Sequence, residues 1–118
     1  MDFRIKLNGH AYSAKLSEKV LRQLAEHCPL TGAFVRSDNH EYYCRLHNNL
    51  DVSGMPVIKQ VHRNGIYFFD AWQALSFVYR NATIAPYQVT YLGEFPEGMS
   101  ALLETAGNQV NISLEVSE

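Results

Sequence analysis

Cysteine is scarce in this sequence: Cys28 and Cys44 are the only two among 118 residues. Two thiols make no disulfide framework, and each stands among apolar neighbours, so both are expected to stay reduced in the core. Glycine is thin as well. Its seven copies are scattered singly at turns, which removes the closely spaced glycines that cradle a phosphate between a strand and a helix. The strongest apolar run, Ile66 to Phe69, stops at Asp70, far short of the ~20 residues of a membrane helix. At the N-terminus Asp2, Arg4 and Lys6 interleave with Phe3, Ile5 and Leu7, which breaks up the apolar core of a secretory leader. A chain that begins near Met1 and stays in the cytoplasm is expected. Ten Lys and Arg against twelve Asp and Glu leave a formal charge of -2, with no basic excess for the phosphates of duplex nucleic acid. The five histidines form no i,i+4 helical pair and lie beside no paired cysteine, so neither a metal site nor a cofactor is expected. Nor is there a Gly-x-Ser-x-Gly elbow to mark a hydrolase nucleophile.

What the chain does have is apolar surface: 47% of its residues are hydrophobic and 12% aromatic, enough to repay the ordering entropy of one core. Its length suits a single domain over residues 1–118. Phe3, Ile5 and Leu7 alternate with charged residues, Asn8-Gly9 supplies a tight turn, and Tyr12, Ala14 and Leu16 resume the period of two, which predicts a hairpin. Ser17 offers an N-cap oxygen, and Val20, Leu21, Leu24 and Cys28 recur at helical spacing before Pro29. A second hairpin is expected around Ser37-Asp38-Asn39, from Phe34 to Arg36 and from Glu41 to Leu46.

Residues His47 to Pro56 read as a surface loop, Val57 to Val61 as a short edge strand, and Ile66 to Phe69 as a strand entered through Asn64-Gly65. Leu75, Phe77 and Tyr79 follow in a strand apolar on both faces, then a loop from Arg80 to Gln88 and a strand from Val89 to Phe95. Pro96 and Glu97 open a helix with Met99, Leu102, Leu103 and Ala106 inward and Gly107 as its left-handed terminator. Val110, Ile112, Leu114 and Val116 line one face of the last strand. Strands dominate without the strand-helix alternation of parallel units. The pattern therefore predicts a mainly β protein, a closed or nearly closed antiparallel barrel of about eight strands with helices near Ser17 to Cys28 and Glu97 to Ala106 as caps.

Ten aromatic residues lie between Tyr42 and Tyr91, and period-two strands must turn some of them outward, where rings on a barrel wall form a shallow apolar groove. Arg36, Arg45 and Arg63, at or beside strands, are positioned to supply donors at its rim.

The stretch Leu92-Gly93-Glu94-Phe95-Pro96-Glu97-Gly98-Met99 resembles the Phe-Gly-Lys-Val-x-Glu-Gly-Met segment of cyclophilins, where a strand passes into the second helix. Gly65 to Tyr79 resembles the Gly-Asp-Ile-x-Tyr-Trp-Pro-Pro-Gly-x-Ala-Leu-x-Leu-Phe-Phe stretch of a compact bacterial and archaeal cyclophilin-like family, largely uncharacterised. The resemblance implies a cyclophilin-like barrel. It also implies positions for a prolyl-isomerase pocket: Phe34-Val35-Arg36 resembles the Phe-His-Arg strand, making Arg36 the amide-stabilising donor, with Tyr42 at the phenylalanine of the next motif and Phe77 at a later one. Arg45 stands where the isomerases carry glutamine, Tyr87 is the ring nearest their tryptophan, and Gln88 or Val89 replaces their histidine. The expected function is therefore a binding module that holds a small molecule or short peptide against Arg36, Tyr42, Arg45, Phe77 and Tyr87. Peptidyl-prolyl isomerisation through Arg36 is the alternative.

Overall fold

The computed structural model describes residues 1–47 and 49–117. In chain order the elements are β1 (Asp2–Leu7), β2 (His10–Leu16), α1 (Glu18–Ala25), β3 (Leu30–Ser37), β4 (Glu41–Arg45), β5 (Val57–Ile58), β6 (Gln60–Val61) and β7 (Gly65–Phe69). A 3-10 turn (Asp70–Trp72), β8 (Ala74–Val78), β9 (Ala82–Thr83), β10 (Val89–Glu94), α2 (Glu97–Thr105) and β11 (Gln109–Ser117) complete the chain. Eight strands form a ring in the order β2-β1-β11-β3-β4-β8-β7-β10, and β10 pairs back onto β2. Every pairing is antiparallel. The architecture is the closed, mainly β barrel that the alternating pattern predicts.

Local chemistry sets the hairpins. Asn8 and Gly9 both take positive φ (49° and 77°), as do Asp38 and Asn39 (50° and 57°), the handedness that matches the twist of the flanking strands. Closure depends on Gly93. It pairs with Leu16 across the β10–β2 seam and with Ile66 on its other side, next to an irregularity in register between Tyr91 and Gly93. A Cβ there would overlap the Lys15 carbonyl oxygen and lie 2.9 Å from its carbon and 3.0 Å from Leu16 Cα. Only glycine lets the two backbones approach this closely.

One apolar cluster fills the ring, with Phe3, Ile5, Phe34, Ile66, Phe68, Leu75 and Phe77 buried in it. Both helices pack on this cluster, α1 through Val20 and Leu24 and α2 through Met99 and Leu103. Ser17 caps α1 by accepting from the Val20 N–H, as expected, but the helix stops at Ala25 and Cys28 packs half-buried beyond its end. Both cysteines are free thiols.

A second, smaller cluster of Val61, Tyr67, Val78 and Val89 lies on the opposite face of the wall. It explains why all five residues of β8 are buried: Leu75 and Phe77 face the interior, while Val78 belongs to the outer cluster, together with Val61 of β6 and Ala82 of β9. The expected edge strand from Val57 to Val61 is in fact two pieces, β5 paired with β10 and β6 paired with β9 as a separate ribbon. That ribbon also places a strand inside the expected loop from Arg80 to Gln88. The stretch from His47 to Pro56 contains no strand or helix among its described residues; Asn48 lies outside them. No helix among the described residues is long and apolar enough to cross a membrane.

Helix α2 departs from expectation at its C-terminus. Gly107 does not take positive φ, and the cap residue Ala106 is extended at φ -72° and ψ 160°. The terminal carbonyls bond to side chains instead, so no left-handed cap is needed. Arg63 spans this helix from its first turn to its last: it donates from Nε to Glu97 Oε1 at 2.6 Å, from Nη2 to Glu97 Oε2, and from Nη1 to Glu104 Oε1 and to the Tyr79 carbonyl. Its guanidinium holds the Glu97 carboxyl below the usual carboxylate range.

Candidate functional site

The outer face of the β4–β8–β7 wall is assembled by strand alternation. In β8 Leu75 and Phe77 face inward, so Ala74 and Ser76 face out; their partners Tyr43 of β4 and Phe69 and Tyr67 of β7 share that outer face. Trp72 projects from the 3-10 turn that joins β7 to β8, and Tyr87 from the segment before β10. The rings form an arc. Tyr43 lies 6.0 Å from Trp72, Trp72 meets Phe69 edge-on at 5.2 Å, and Phe69 meets Tyr87 edge-on at 6.2 Å, centroid to centroid.

This arc walls a groove of about 540 Å³. Trp72 is 48% exposed and Tyr87 65%, unusually open for rings of that size. Ser76 lies in the lining; its residue is 4% exposed, and its hydroxyl has no hydrogen-bond partner among the described residues. A buried hydroxyl without a partner carries a desolvation cost that a ligand can relieve. At one end the β3–β4 turn contributes Asp38 and His40, and the first residue of β4 contributes Glu41. His40 Nε2 is 2.8 Å from Glu41 Oε2 and Nδ1 is 3.2 Å from the Asp38 carbonyl oxygen. The Glu41 carboxylate pushes the imidazole pKa up, against the desolvation that would lower it. At the opposite end the Arg45 guanidinium lies 5.5 Å from the Trp72 ring centroid.

A larger hollow of about 690 Å³ lies beside the chain from Asn49 to Met55, lined by Gln23, Asp51, Ser53, Asp70 and Gln88 among others. Its lining is about evenly polar and apolar, with Leu50, Val52, Met55 and Phe68 beside those groups, whereas ligand sites are mostly apolar with a few placed polar groups. The ring-walled groove is the better candidate.

The five residues expected at the site are dispersed. Tyr87 lines the groove, and Arg45 borders it through Trp72. Tyr42 and Phe77 are fully buried in the barrel interior, where Phe77 stacks on Phe34 at 5.1 Å and meets Phe95 edge-on at 5.8 Å. Arg36 is engaged at the end of α2: Nη2 donates to the Ala106 carbonyl at 2.6 Å and to that of Leu103 at 3.3 Å, and Nε donates to the Tyr42 hydroxyl at 3.1 Å. Tyr42 in turn donates to the Gly107 carbonyl at 2.6 Å. A cation at the negative pole of a helix, satisfying its orphan carbonyls, is well placed to hold that end of α2.

Tyr43, Phe69, Trp72 and Ser76, with Asp38, His40 and Glu41 at one end, are groove residues outside the expected set. A signal for one of them was present in the sequence. Glu41 and Arg45 share the parity of Tyr43, and charged residues mark the wet face of a strand, so Tyr43 rather than Tyr42 turns outward. Among the described residues no group of three or more His, Cys, Asp or Glu could hold a metal ion.

A closed eight-strand antiparallel barrel with two packed helices and a ring-lined outer wall defines a cyclophilin-type fold. The profile of the cyclophilin-like family matches residues 5–115, and the chain belongs to that family. The solution structure of a hypothetical protein from Archaeoglobus fulgidus is similar to it with a TM-score of 0.65 and 14% identity, covering 99% of this chain and 95% of that one. At that identity the likeness concerns the fold. A search of curated proteins finds no match.

Proposed function

We propose that this protein is a binding module that takes a small organic molecule or a short peptide in the outer groove, against Tyr43, Trp72 and Tyr87. The observation that carries this reading is the joining of an open arc of rings to a buried, unpartnered Ser76 hydroxyl in the same lining. Exposed rings supply apolar contact area, and one placed hydroxyl supplies orientation. The isomerase alternative requires an arginine presented to the substrate amide, and the Arg36 guanidinium is already bonded to the carbonyls of α2. No acceleration is therefore expected in a coupled prolyl-isomerisation assay, where the uncatalysed step takes ~10–100 s and a catalyst would be plain.

Trp72 is the sole tryptophan of the chain, so its emission reports on the groove directly. Titration with 2-phenylethanol is expected to shift that emission to the blue in a saturable manner, as the indole leaves water. Tyr87→Ala should weaken the interaction about fivefold or more, the ~1 kcal/mol of one aromatic contact. An emission spectrum that does not respond, or an affinity unchanged in Tyr87→Ala, would refute the groove.

A further inference from the structure

The ionisable residues of the groove have one predominant sign. Among the described residues, Asp38 and Glu41 are its carboxylates, His40 is the one basic group, and no lysine or arginine lines it. Even with His40 protonated, two carboxylates against one imidazolium leave the lining negative. The ring faces add to this, since the π-systems of Tyr43, Trp72 and Tyr87 present negative potential to a cation. Trp72 already keeps such company, with the Arg45 guanidinium 5.5 Å from its centroid.

The charges are also ordered along the strand. Glu41, Tyr43 and Arg45 occupy alternate positions of β4 and so share its outer face, with Tyr43 in the middle. Four residue steps of strand lead from Glu41 to Arg45, roughly 13 Å along the backbone. A cationic ligand is therefore attracted at the Asp38–Glu41 end and repelled at the Arg45 end. Ser76, opposite Tyr43 in the register, places its unpartnered hydroxyl between those ends.

We infer that the groove selects organic cations: ligands carrying a protonated amine that lies toward Asp38 and Glu41, with an apolar or aromatic body against Tyr43, Trp72 and Tyr87. This rests on the binding-module reading and adds the charge of the ligand to it. Electrostatic selection of this kind discriminates among ligands that share a shape.

Three probes with one ring and different heads provide the test: 2-phenylethylamine, 2-phenylethanol and 3-phenylpropionate, each titrated against Trp72 emission at low salt and pH 7. The amine is expected to bind about tenfold tighter than the alcohol, and the carboxylate about tenfold weaker or not at all. In the Asp38→Asn, Glu41→Gln double variant the ratio of amine to alcohol affinity should fall from about tenfold to within about threefold. Retained binding of the alcohol also establishes that the variant is folded. Equal affinity for amine and alcohol in the unmodified protein, or a preference unaltered in the double variant, would overturn the inference and leave the groove standing. Failure of all three probes would remove the groove reading, and this inference with it.

Discussion

Gly93→Ala is expected to cost about 3 kcal/mol or more in urea denaturation, the upper range for overpacking, because the added methyl meets backbone rather than a movable side chain. The carbonyl of Lys15 cannot step aside without disturbing the Gly93–Leu16 and Glu94–Lys15 pairs that close the ring. The hydrogen bond from the Ser17 N–H to the Leu92 carbonyl, at 3.2 Å, joins the same seam to the N-cap of α1, so the strain reaches a helix terminus as well. Gly98→Ala is the matched control. Its nearest neighbour would be Tyr12 Cε1 at 3.6 Å, an ordinary contact, and the position is helical, so little change or a slight gain in stability is expected. Equal effects at the two glycines would mean that close approach at the seam is not what glycine provides.

Phe77→Ala is expected to cost about 3–5 kcal/mol, since it removes a fully buried ring and leaves a cavity between Phe34 and Phe95. The same variant also separates two roles for this residue. A ring enclosed behind the wall contributes to stability, so the affinity for 2-phenylethanol should remain near that of the unmodified protein at temperatures where the variant is folded. Large loss of affinity with little loss of stability would place Phe77 at a ligand surface instead.

The sequence made the barrel legible because the strands with one wet face declare themselves. In β1 and β11 the polar and apolar residues alternate, and the observed burial follows them, with Phe3, Ile5, Ile112 and Leu114 inside. In β7 and β8 that signal is absent. Gly65 to Phe69 and Ala74 to Val78 are buried nearly throughout, so their parity could not be read from polarity. What resolves it is the β6–β9 ribbon, and strands of two residues leave almost no periodic trace. The element-order resemblance carried Arg36, Tyr42 and Phe77 toward a common pocket. Arg36 and Tyr42 instead meet the last carbonyls of α2, a contact between positions 67 to 70 residues apart for Arg36 that no local pattern announces.

The outer ribbon has a further consequence for how the molecule breathes. Its two strands are joined by the pairs Gln60–Thr83 and Val61–Ala82, and the Ile84 N–H donates to the Lys59 carbonyl just beyond them. These bonds lie outside the eight-strand circuit, so their rupture leaves every pairing of that circuit in place. Two tiers of cooperativity are therefore expected in hydrogen exchange: amide protons of the central staves exchanging only when the whole barrel opens, and those of Ile84 and its neighbours through a small local excursion. One wall of the groove, from Ala82 to Tyr87, belongs to the less protected tier.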